Sequence, residues 1–144
     1  MSQELNNPKY TISNAANLLD ISVHTMRMYE REGLIIPFKK GSGQRLYSDQ
    51  DIERVNCIRH SIKDEKLNIQ GIRKILSLIP CWAIVNCSKS DRDNCKAFSS
   101  FSKPCWMFNH KNNFCSEREC RECEVYSTFG TCESIKNKLK NLLA

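Results

Sequence analysis

The stretch ISVHTMRMYEREGLII, from Ile21 to Ile36, decides how the chain is read. It predicts a short helix of mixed polarity. Ser22 is suited to cap its start, because a serine hydroxyl accepts from a first-turn backbone N–H that has no helical partner. Val23, Met26 and Glu30, with Leu34 beyond, recur at helical spacing on one side. Thr25, Arg27, Tyr29 and Arg31 occupy other faces. Gly33 closes the helix, since glycine readily takes the backbone conformation that ends one. A surface helix of an ordinary domain carries the same pattern, so the neighbouring segments decide its use.

Upstream, Ile12, Ala15, Ala16 and Leu19 fall at i, i+3, i+4 and i+7, one face of a second short helix preceded by Thr11. Asp20 to Ser22 then forms a tight link, and two short helices so joined predict a helix-turn-helix. Downstream, Leu34 to Pro37 leads out as an extended piece into FKKGSGQRLY, residues 38–47. Gly41 and Gly43 around a serine allow a hairpin tip. Lys39, Lys40 and Arg45 make that hairpin basic, and a guanidinium suits a fixed two-pronged grip on phosphate better than an ammonium does. A basic hairpin behind a helix-turn-helix reads as a wing laid on a DNA backbone; a merely solubilising surface hairpin is the alternative.

Ser48 and Asp51 form a capping-box-like start to a further helix with Ile52, Val55, Ile58 and Ile62 at helical intervals. Cys57 within it is expected as a small buried thiol. Asn68 opens another run, Ile69, Ile72, Ile75, Leu76 and Ile79, which Pro80 ends. The residues before Tyr10 are expected to form a loose polar tail.

Together these residues carry a resemblance. Tyr10-Thr11-Ile12-Ser13 with Ala15-Ala16, then Thr25 to Ile35, then Gly43 to Ser48 and Asp51-Ile52, resemble the winged-helix domain of MerR-family transcriptional regulators. The RMYEREGL form and Leu67 to Ile72 are most similar to the heat-shock-repressor branch. The resemblance implies that His24, Thr25 and Arg27 face the major groove, that Tyr29 and Arg45 contact phosphates, and that Lys39, Lys40 and Tyr47 belong to or support the wing. It further implies a homodimer on an inverted repeat of double-stranded DNA. Many members activate transcription by distorting a promoter bound by RNA polymerase, whereas heat-shock-type relatives repress.

After Pro80 the chain changes character. Eight of its nine cysteines, Cys81, Cys87, Cys95, Cys105, Cys115, Cys120, Cys123 and Cys132, follow there as C-x5-C-x7-C-x9-C-x9-C-x4-C-x2-C-x8-C. Aliphatic residues are sparse among them, so this half is expected to need staples, and thiolate-held metal is the leading reading, ahead of disulfides acting as a redox switch and of unligated thiols in a disordered tail. Four thiolates suit zinc or iron–sulfur. Structural zinc usually arrives as two close pairs, and only Cys120–Cys123 is close, so the expectation is an iron–sulfur cluster of the four-iron–four-sulfur type, with zinc as the alternative. His110 is read as an exposed histidine and not as a ligand. The Cys81-Trp82 and Cys105-Trp106 dipeptides also resemble a small cysteine-rich module attached to bacterial regulatory proteins. The final Ser134 to Leu143 is expected as a short basic amphipathic helix.

The expected architecture is therefore mainly α: a winged helix-turn-helix over 9–79, followed over 80–144 by a small metal- or cluster-stabilised sensor and dimerisation domain with a terminal helix. The net charge of +6 favours an anionic partner only weakly. Up to residue 79 there are 12 Lys/Arg against 9 Asp/Glu, and beyond it 10 against 7, so charge alone singles out neither half. No run approaches a membrane span of about 20 apolar residues, and the start lacks a secretory profile, so the expected location is cytoplasmic. No Ser/His/Asp set, phosphate-cradling glycine loop or carboxylate pair stands out, and no enzymatic activity is expected. The expected function is a DNA-binding regulator whose cysteine half senses redox state. Two alternatives remain: a zinc-stabilised repressor with a purely structural cysteine domain, and an electron-transfer or metal-delivery protein that does not bind DNA.

Overall fold

The computed structural model describes residues 7–85, 87–108, 120–128, 137, 140 and 141. They fall into two compact units that meet in the chain at Asn68 and Ile69.

The first unit opens with β1 (Tyr10–Thr11) and α1 (Ile12–Leu19). Thr11 caps α1 through its side chain, which accepts from the Asn14 N–H. Asp20 ends it in the left-handed region at φ 54°, a conformation aspartate tolerates better than most side chains. Its N–H bonds back to Asn17 O at 3.2 Å, and the chain turns directly into α2 (Val23–Arg31). Ser22 caps α2 as its sequence suggests, accepting from Thr25 N at 3.0 Å.

Gly33, at φ 78°, lets the chain leave α2. The extended piece that follows pairs only from Phe38: β2 (Phe38–Lys39) and β3 (Arg45–Tyr47) form the hairpin, with Lys39 opposite Arg45 and Phe38 opposite Leu46. On its other edge β3 pairs antiparallel with β1, Tyr10 opposite Tyr47. The wing is thus a three-stranded sheet with β3 central, and its third strand comes from the two residues ahead of α1, for which no strand was expected.

Next is α3 (Asp49–Lys63), opened by a complete capping box: Ser48 accepts from Asp51 N at 3.1 Å, and Asp51 accepts from Ser48 N at 2.8 Å. Two arginines of α3 satisfy carbonyls at distant chain ends. Arg54 Nε donates to Leu34 O at 2.9 Å, and Arg59 Nη1 donates to Leu19 O at the last residue of α1. A cation there satisfies an orphan carbonyl and opposes the negative end of the helix dipole. Around these ties lie Ala15, Ala16, Leu19, Met26, Tyr29, Leu34, Ile35, Tyr47, Val55 and Ile58, all buried. The small alanines let α1 approach α2, α3 and the sheet. Each fully buried large aliphatic contributes on the order of 2 kcal/mol. Cys57 is half-buried and disulfide-bonded, where a lone buried thiol was expected.

The second unit contains α4 (Ile69–Ser77), then the short α5 (Cys81–Ile84), α6 (Lys89–Asp93), α7 (Lys96–Ser99) and α8 (Glu124–Thr128). Its buried side chains include Ile72, Leu76, Ile79, Val85, Val125 and Tyr126. Trp106 meets Tyr126 edge-to-face with ring centroids 5.2 Å apart, and Trp82 meets Phe98 in the same manner at 5.1 Å. Part of the terminal helix expected over 134–143, together with His110, Cys115 and Cys132, lies outside the described residues.

The cysteine-rich metal module is corrected by this arrangement. Cys81, Cys87, Cys95, Cys105, Cys120 and Cys123 sit half-buried outside any disulfide. Among the described residues, no three His, Cys, Asp or Glu side chains converge to hold a metal ion. A chelate needs its donors around one point; here they are spread over short helices and the turns between them, and aromatic edges with a small aliphatic core hold the segment instead. The expectations of an iron–sulfur cluster, of zinc, and of redox sensing through such a centre fall with it. So do the zinc-stabilised and metal-delivery alternatives, which need the same ligands.

Candidate nucleic-acid interface

The residues expected to meet DNA all lie in the first unit, and they divide by burial. His24 and Arg27 are exposed on α2, and Lys39 and Lys40 are exposed on the hairpin. Arg45 is half-buried at the base of the hairpin. Thr25 is also half-buried, and its hydroxyl lies 2.9 Å from that of Ser22, so it completes the helix cap.

Tyr29 and Tyr47 are different. Tyr29 is 5% exposed and Tyr47 wholly buried, so both phenol rings sit beneath the surface that the charged residues form. Burial raises the pKa of both phenols, that of Tyr47 to about 12. Among the described residues, the Tyr47 hydroxyl has no hydrogen-bond partner. Helical spacing puts Tyr29 on a face apart from Val23 and Met26, yet the fold buries it, and nine residues of helix carry no pattern that reports this.

One residue organises this surface that the sequence did not single out for it. Glu30, on α2, accepts from Arg45 Nε at 2.6 Å and lies 3.8 Å from Lys39 Nζ. The carboxylate is 17% exposed, and its pairing raises the already high pKa of Arg45 further. Lys39 and Arg45 face each other in the hairpin register, so a single carboxylate engages both strands of the wing from the helix. The spacing of Glu30 and Arg45 in the chain carries no helix or strand period, which is why only the folded hairpin reveals the pair.

A second polar cluster anchors the sheet. Asp49 accepts from Tyr10 OH at 2.6 Å and pairs with Lys9 Nζ at 2.7 Å. These contacts, Lys9 first, hold the Asp49 carboxyl below its ordinary range. They tie β1 to the start of α3, and so fix the far edge of the wing's sheet.

What results is a helix with exposed His24 and Arg27, flanked by a hairpin with exposed Lys39 and Lys40 and ion-paired to it. Such a surface presents donors to base edges and cations to phosphates.

Residues 10–79 match the family model described as MerR HTH family regulatory protein. That segment therefore carries a MerR-type helix-turn-helix. Among curated proteins, the chain is 38% identical over 71 residues to one from Streptomyces coelicolor described as heat shock protein HspR, covering 49% of this chain and 47% of that protein. It is 40% identical over 68 residues to a probable heavy metal-dependent transcriptional regulator of Haemophilus influenzae, covering 46% and 52%. It is 36% identical over 69 residues to the HTH-type transcriptional regulator MlrA of Escherichia coli, covering 47% and 28%. The chain thus spans about half the length, or less, of these curated relatives. Over the matched residues these descriptions are of transcriptional regulators and not of enzymes. No helix among the described residues is long and apolar enough to cross a membrane.

Proposed function

We propose that the chain is a MerR-family transcriptional regulator that recognises a specific sequence in double-stranded DNA. In this reading residues 9–79 form the DNA-binding domain, α2 enters the major groove with His24 and Arg27 toward base edges, and the hairpin lies along the backbone with Lys39, Lys40 and Arg45 toward phosphates. The observation that carries it is the tie between the two elements: one carboxylate of α2, Glu30, pairs with Lys39 and Arg45 of the hairpin. The match of residues 10–79 to a family of regulators supports the same reading.

A single module of this size makes few base contacts, and specific binding at physiological salt needs more interface than it offers. The protein therefore acts as a homodimer on an inverted repeat, with residues 80–144 contributing to the pairing. A duplex DNA target places it in the cytoplasm, with RNA polymerase at the same promoters as a further partner. Selection of binding sequences from a random duplex pool, followed by anisotropy titration over a range of salt, tests this. The expected result is an enriched inverted repeat bound with a steep inverse dependence on salt. Failure to enrich any sequence, with no salt-dependent binding to duplex, overturns it.

A further inference from the structure

The geometry points to Glu30 as a positioning residue that acts through Arg45: it holds the wing's guanidinium aimed and charge-compensated, and so suppresses indiscriminate phosphate binding in favour of one backbone register. This rests on the DNA-binding reading above and extends it to how the surface discriminates.

An acidic side chain beside a phosphate-binding surface is at first sight a liability, because it repels the partner. Glu30 is nonetheless 17% exposed and turned toward the wing, 2.6 Å from Arg45 Nε and 3.8 Å from Lys39 Nζ. Arginine has five N–H donors in a planar fork. Glu30 takes the one on Nε, which leaves the N–H groups of the two terminal nitrogens for another acceptor. A guanidinium so held cannot swing to follow any passing phosphate. It can grip only one that arrives where the fork points, with the two-pronged geometry that arginine and phosphate favour.

The charge bookkeeping runs the same way. The two wing cations nearest the helix share one carboxylate, so their summed charge toward a duplex is reduced. Non-specific binding is almost wholly electrostatic and scales with the phosphates neutralised. Compensation by Glu30 therefore weakens binding to arbitrary DNA more than binding to a site where the fork and the base contacts are all satisfied. Lys40, one residue further along the hairpin, is exposed and outside this pairing.

The test uses the full chain with a mixed-sequence duplex and a duplex obtained by selection, titrated at several salt concentrations. Glu30→Gln keeps the shape and an acceptor oxygen but removes the charge. The expected result is tighter binding of the mixed-sequence duplex at low salt and a log–log salt slope steeper by about 0.9 for each added phosphate contact. The ratio of selected to mixed-sequence affinity falls. Glu30→Asp, which keeps the charge, keeps the wild-type slope. In an Arg45→Gln background the Glu30→Gln change loses most of its effect, because the residue acts through Arg45.

Matching thermal unfolding of wild type and variants establishes that each is folded. Should Glu30→Gln, folded, bind the mixed-sequence duplex with unaltered slope and unaltered ratio, the inference is overturned while the DNA-binding reading stands. Weaker binding to both duplexes alike would equally overturn it, by making Glu30 a structural brace only. Wild-type protein that binds no duplex overturns the reading beneath it, and the inference with it.

Discussion

Glu30 and Arg45 are fifteen residues apart in the chain and 2.6 Å apart in the fold. The ion pair crosses from the helix that carries the exposed His24 and Arg27 to the hairpin that carries the exposed Lys39 and Lys40. The wing is thus tied to the helix by an ion pair at the surface as well as by the core beneath.

Lys40 is exposed near the hairpin tip, away from that pair. Replacing it with glutamine removes one cation that a phosphate can displace counterions against. Binding is expected to weaken by a similar factor for every duplex sequence, and the log–log salt slope to become shallower by about 0.9. Anisotropy titration at several salt concentrations measures both quantities.

Arg27 is exposed on α2, one helical turn from the Glu30 position. If its guanidinium reads a base edge, Arg27→Ala weakens binding to the selected duplex by about 1–3 kcal/mol and relaxes selection at one base position per half-site. Binding to mixed-sequence DNA changes far less. Repeating the selection with the variant reads out the relaxed position directly.

The capping box that opens α3 is a stability element. Ser48 is wholly buried, and its hydroxyl accepts from Asp51 N at 3.1 Å. Ser48→Ala is expected to lower the stability of the first unit by about 1–2 kcal/mol. Urea unfolding followed by circular dichroism checks the shift in midpoint.

Tyr47 gives a pH signature. Its phenol is pushed by burial up to about 12, whereas in an unfolded chain it titrates at about 10. Between those values the folded protein keeps a proton that the unfolded chain has released, so this group's contribution is intact below pH of about 10 and is lost as pH rises toward about 12. Tyr47→Phe is expected to flatten that alkaline fall. At neutral pH it should leave stability unchanged or raise it by about 1 kcal/mol, since the buried hydroxyl it removes has no partner among the described residues. Thermal melts of the two proteins across alkaline pH decide the matter.

Local chemistry in the sequence was a good guide where a structure is made locally. Ser22 and the Ser48–Asp51 box cap helices through contacts three residues apart, and Gly33 marks an exit where a positive φ is needed. The stripe Ala15, Ala16 and Leu19 is buried as its spacing suggests. Relationships between distant residues were not legible. The pairing of Tyr10 with Tyr47 makes a strand of two residues, too short for any alternation to register. Nothing in the spacing of their helix points to Arg54 and Arg59 as ties, yet they close carbonyls of Leu34 and Leu19.

The cysteines misled for a related reason. Spacing counts donors, and a metal site depends on their convergence, which the described thiols do not achieve. Their tryptophan neighbours were the more useful signal: Trp82 and Trp106 each find an aromatic edge in Phe98 and Tyr126. A segment poor in aliphatics can still gain on the order of 1 kcal/mol from each such ring pair beyond the area it buries.

With β3 hydrogen-bonded on both edges, the wing has a rigid root and a permissive end. Added Cβ atoms at Gly41 and Gly43 would meet nothing within 4 Å, although the φ of +88° at Gly43 reserves that position for glycine. Length inserted between Lys40 and Gln44 would therefore extend the span of the hairpin as the jaw of a caliper is extended, while leaving the Glu30–Arg45 pair untouched. The reach of the surface is thereby set by a loop, with no rebuilding of the interior.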